Sequence, residues 1–156
     1  MPAPNFDIAQ AHRYFAIECN NAAWEWLECS DRSPETTETA IHAAEASFYH
    51  WSQVGTAVNV LRAAYLLANV YAAAKQSANA TRCLRRCQAM LAIDGNGAED
   101  WDRAFVQDAE ARAALAGGDM KASEWHRQAA QQAGGVIADA ECRQAFEAWF
   151  ARWPNL

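Results

Sequence analysis

The chain has 156 residues, 52% hydrophobic and 21% charged, which suits one domain with a buried core and is too apolar for a disordered chain. Lysine and arginine number 13 against 19 acidic residues, a net charge of −6. That balance argues against nucleic acid, because an acidic domain has few cations to displace counterions from a phosphate backbone. The five cysteines, Cys19, Cys29, Cys83, Cys87 and Cys142, are odd in number and form no CxxC pair. Neither a disulfide framework nor a zinc knuckle is expected, and reduced thiols point to a cytoplasmic setting.

β-Branched residues are scarce, alanine is abundant and no period-2 alternation occurs, so helix is the expectation throughout, in about seven segments. The first runs from Asn5 to Cys29. Ile8, Phe15, Cys19, Ala22 and Trp26 make one apolar stripe, and Phe6, Ile17, Trp24 and Leu27 fall nearly opposite. A helix apolar on two sides is either central or dimer-forming. The N-terminal stretch has no apolar run behind a basic start, so no secretory signal is expected.

Ser33 and Pro34 open a second helix, which continues to about Gln53 with Ile41, Ala44, Phe48 and Trp51 as its core stripe. The third spans about Ala57 to Gln76. Its apolar run is broken by Asn59, Arg62 and Asn69, which marks a buried core helix rather than a membrane span. In the fourth, about Ala78 to Ile93, the residues Ala80, Cys83, Leu84, Cys87 and Leu91 face the core. Arg82, Arg85 and Arg86 read as its solvated side.

Asp94-Gly95-Asn96-Gly97 is a turn. The fifth helix, about Glu99 to Ala116, carries Trp101, Phe105, Ala109 and Leu115. Gly117-Gly118-Asp119 reverses the chain into a sixth helix with Ala122, Trp125 and Ala129 on its apolar side. A seventh runs from about Ile137 to Arg152, before Pro154, with Phe146, Trp149, Phe150 and Trp153 at i, i+3, i+4 and i+7. That strip reads as a cap on the rest, or as a homodimer face or docking strip. Short breaks between long helices force antiparallel neighbours, so the expectation is one all-α domain over residues 1–156.

A shift of 42 residues lays Ala64, Leu67, Ala68, Tyr71, Ala80, Leu84 and Cys87 on Val106, Ala109, Glu110, Ala113, Ala122, His126 and Ala129. Ala68, Tyr71 and Ala80 match a small residue in a first helix, an aromatic three later and an alanine nine after that. Over about 61–134 the chain therefore resembles a tetratricopeptide-like helical repeat, degenerate in its second copy and without the closing proline. The resemblance implies a stacked α-α superhelical array that binds a protein or peptide on its concave side, in a groove lined by the third and fifth helices. The N-terminal half is also similar to uncharacterised bacterial all-helical proteins, which implies a bacterial source.

Nothing in the sequence points to catalysis. GxSxG, a cysteine with a local histidine signature and a phosphate-cradling glycine loop are all missing. Among His12, His42, His50, Glu18 and Glu45 there is no paired ExxH, so neither a metal site nor a cofactor is expected. The binding candidates are Glu18, Asn21, His50, Asn59 and Arg62, polar residues among aromatics on the first three helices. Arg62 within an apolar helix wants a carboxylate, and Glu18 or Glu45 could supply it. The cluster is either an ion-pair network that fixes helix register or a pocket for a small polar ligand or peptide terminus. The sequence thus suggests a non-catalytic protein- or peptide-interaction module. The alternative is a small-ligand-binding or metal-dependent helical protein using that cluster.

Overall fold

In the computed structural model, residues 5–153 are described, and among them are seven helices and no strand: α1 Ile8–Glu28, α2 Pro34–Val54, α3 Ala57–Ala73, α4 Ser77–Leu91, α5 Asp100–Ala116, α6 Met120–Gly135 and α7 Ala140–Phe150. Pro154 lies outside the described residues. Six of the seven starts have a local cause in a side-chain cap or capping box. The Asp7 carboxylate accepts from the N–H groups of Ala9 and Gln10, so α1 begins at Ile8 rather than Asn5. Ser33 caps α2 ahead of Pro34, Asp119 caps α6 and Asp139 caps α7. The last cap moves the start of α7 from the expected Ile137 to Ala140. No described helix is long and apolar enough to cross a membrane.

α1 and α2, α3 and α4, and α5 and α6 pack as hairpins. α3 also touches α1, α2 and α5, and α5 also touches α4 and α7. Four neighbours explain the composition of α3. Leu61 and every residue from Ala63 to Ala72 are buried, whereas a helix packed on one side would show a polar face. Small Ala64, Ala68 and Ala72 let the neighbouring backbones approach, and Leu61, Leu66, Val70 and Tyr71 fill the space around them.

The second and third hairpins repeat with a step of 43 residues, not 42. Ala57–Ala73 and Asp100–Ala116 are both 17 residues long and begin 43 apart. Each is opened by a capping box, Thr56 with Asn59 in α3 and Glu99 with Asp102 in α5. Each ends on the same pair of backbone bonds. Gln76 N–H reaches Tyr71 C=O while Lys75 N–H reaches Ala72 C=O, and 43 residues on Asp119 N–H reaches Ala114 C=O while Gly118 N–H reaches Leu115 C=O. The left-handed residue is Lys75 in the first turn, at φ 61°, and Gly118 in the second, at φ 81°. In this register the small buried residues coincide: Ala68 with Ala111, Ala80 with Ser123, Cys87 with Ala130.

Expectations about the faces of α1 and α6 are corrected. Of the expected α1 stripe Ile8, Phe15 and Ala22 are exposed and Trp26 is buried; of the opposite set Phe6 and Ile17 are exposed and Leu27 is buried; Ala16 and Ala23 complete the buried face. Among the described helices the α1 backbone comes close only to α2 and α3, so much of its surface has no neighbour. Trp125 of α6 is 64% exposed.

Candidate functional site: clefts beside α4 and a buried polar seam on α5

The five candidate residues are not gathered into one pocket. Glu18 and Asn21 are exposed on α1. Asn59 serves the α3 capping box, its Oδ1 accepting from Thr56 N–H at 3.0 Å. His50 meets His12 of α1, with their Nδ1 atoms 2.7 Å apart. Burial lowers the His50 pKa, and the neighbouring His12 lowers it further.

Arg62 turns to α5, not to Glu18 or Glu45. Its Nε and Nη2 donate to the two carboxylate oxygens of fully buried Asp102 at 3.0 Å each, and its guanidinium lies 4.0 Å from the Trp101 ring centre. This two-pronged pair ties the start of α3 to the start of α5. Asp102 also accepts from Tyr65 O–H and from Glu99 N–H, so its oxygens are fully used. Burial first, with the charge of Asp102 next, pushes the Tyr65 pKa well up.

A second buried seam lies further along α5. Asp108 accepts from Arg112 Nε at 2.7 Å and from the α7 indole Trp149 Nε1 at 2.6 Å. The Arg112 guanidinium sits 4.5 Å from the Trp149 ring centre and 5.0 Å from that of Trp153. Burial raises the Asp108 pKa, although Arg112 and Trp149 pull the other way. Trp149 also meets Trp24 of α1 edge to face at 5.0 Å, and Phe146 meets Phe105 at 5.2 Å. The α5 face expected to line a groove with α3 is therefore occupied by α7. Phe146 lies so close to α6 that a Cβ on Gly134 would come within 2.2 Å of its ring.

The open surface is on the other side. The backbones of α2 and α4 do not approach each other, which leaves a cleft of about 350 Å³ over α3. Ala64, Leu67 and Tyr71 form its floor, Glu45 and Phe48 one wall, and Arg82, Cys83 and Arg86 the other. Tyr71 O–H donates to Glu45 at 2.5 Å. Burial and that carboxylate push its pKa up to about 12. Arg86 rests on the Phe48 ring at 4.6 Å. One repeat on, α4 and α6 frame a cleft of about 490 Å³ over α5. There Gln107, Glu110 and His126 stand where the first cleft has Ala64, Leu67 and Cys83. His126 Nδ1 lies 3.0 Å from both Gln107 Oε1 and Glu110 Oε2, and Gln88 Nε2 donates to Glu110 at 2.6 Å. The floor is apolar in the first cleft and already hydrogen-bonded to itself in the second.

Among the described residues no group of three or more His, Cys, Asp or Glu side chains is placed to hold a metal ion. Asp102, Asp108 and Arg112 went unmarked in the sequence. Two local signals could have found them: the Glu99-x-x-Asp102 box before an apolar run, and the i, i+4 spacing of Asp108 and Arg112. Comparison of the chain with protein-family models, curated proteins and solved structures finds no match.

Proposed function

We propose that the protein is a non-catalytic interaction module, a tetratricopeptide-like stack that grips a protein segment in the cleft between α2 and α4. Three features support the stack: hairpins whose first helices touch in sequence, a common step of 43 residues, and small buried residues at matching positions. In such an array α1, α3 and α5 form the inner side. Here α7 already covers α5, so binding belongs to the outer cleft.

The observation that carries the reading is the make-up of that cleft. An apolar floor of Ala64 and Leu67 lies beneath two arginines, one of them held in place against Phe48. Such a site suits an extended or helical segment that offers an apolar side chain to the floor and a carboxylate to Arg82 and Arg86. Panning a random peptide library on the folded protein tests it. Enrichment of sequences with paired acidic and apolar residues, lost against an R82E/R86E variant, is the expected outcome. Enrichment that survives the charge reversal, or no enrichment at all, overturns the reading.

A further inference from the structure

We propose that the outer face of the α1–α2 hairpin is a self-association surface, on which a second copy of this chain docks through a two-fold contact. Phe6, Ile8, Tyr14, Phe15 and Tyr49 are each between 49% and 62% exposed. Most of them belong to one connected ring system. Tyr14 meets Phe15 at 5.4 Å, Phe15 meets His50 at 5.6 Å, and Tyr49 meets both His50 at 5.3 Å and His12 at 6.0 Å. Ile8 is one turn from His12 and two from Phe15 on the same helix. A connected aromatic surface of this kind marks an interaction site rather than scattered exposure.

Area and charge select the occupant. An aromatic side chain can bury about 150–250 Å², so five large side chains near half exposure offer roughly 500 Å² per copy. Two copies would bury about 1,000 Å², the lower bound for a specific interface. In the segments 6–17 and 46–54 that carry the patch, Asp7 and Arg13, one of each sign, are the only formally charged side chains other than the histidines, on a chain of net charge −6. An acidic or basic partner finds no opposite field there. A second copy needs none, because a two-fold contact sets the same patch against itself and must be free of like-charge repulsion. The Tyr14 and Tyr49 hydroxyls and the ring nitrogens of His12 and His50 supply donors and acceptors around the apolar centre.

Sedimentation velocity on the full chain tests this, over concentrations from about 1 to about 300 µM. A monomer–dimer equilibrium with a micromolar constant is expected, weakened about 100-fold or more in F15E/Y49E. W125E, on the exposed part of α6, serves as the control and leaves it unchanged. Circular dichroism and the melting temperature show that F15E/Y49E still folds, since both side chains point to water in the single chain. A wild-type monomer across the whole range overturns the proposal, as does a dimer that F15E/Y49E leaves intact.

Discussion

Replacing Trp149 by phenylalanine isolates the bond that fastens α7 to α5. Trp149 is 5% exposed and its indole N–H donates at 2.6 Å to Asp108, a carboxylate with no solvent exposure. Phenylalanine keeps most of the ring contacts with Trp24 and Arg112 but cannot donate. A hydrogen bond to a buried charge contributes about 1.5–3 kcal/mol, and the smaller ring forfeits about 1 kcal/mol of burial. The expected loss is therefore about 2.5–4 kcal/mol. D108N also costs stability, because it leaves buried Arg112 without its counter-charge. The double variant separates the effects: if the indole and carboxylate act on each other, the coupling is about 1.5–3 kcal/mol. Urea unfolding followed by far-ultraviolet circular dichroism measures all four corners without relying on the altered tryptophan. A coupling below about 0.5 kcal/mol would refute the claim that this bond anchors α7.

Three further outcomes follow from the geometry. G134A drives a methyl into the Phe146 ring and lowers stability by about 1–3 kcal/mol, whereas Gly135, with nothing within 4 Å, accepts alanine at no cost in thermal melts. His50 has its pKa lowered in the fold, by burial and then by His12, from an ordinary value near 6.5. Its neutral form is thus the folded one, so its contribution is complete above that value and declines as pH falls through the lowered pKa. The melting temperature should drop on acidification through this window by less in H50Q than in the parent. The Cys87 thiol, buried and pushed up to about 12 chiefly by that burial, should resist alkylation in the native state under conditions where exposed Cys29 reacts, as read by mass spectrometry.

The seven helices were legible because their signals are local. Asp7, Ser33, Asp119 and Asp139 sit where a carboxylate or hydroxyl can meet free N–H groups, and the glycines fall at breaks. The buried faces of α3 and α4 were legible for the same reason. The repeat step was missed by one residue because matching side chains alone favoured Ala122 opposite Ala80. The turns fix the true step, and the first of them is invisible in the sequence, since lysine rather than glycine takes the left-handed position at Lys75. The faces of α1 were misjudged for a different reason. Periodicity shows that Ile8 and Phe15 share a side, but only the packing reveals that no helix of the described chain covers it.

The candidate site was the least legible part. Arg62 was correctly marked as needing a carboxylate, yet its partner Asp102 lies 40 residues on, across a helix pair, where no local spacing points. The side-chain oxygen of Asn59 was already committed to the α3 cap, accepting from the N–H and hydroxyl of Thr56, a demand that an Asn three residues after a Thr announces in advance.

The setting of α3 bears on how the chain comes into being. Its almost wholly greasy cylinder is satisfied only when α1, α2, α4 and α5 have all arrived, and α5 ends at Ala116. During synthesis this segment leaves the ribosome well before its last neighbour does. For that interval it must stay sheltered by the first hairpin or by a chaperone. The order of translation thereby makes the N-terminal pair a nursery for the centre of the molecule.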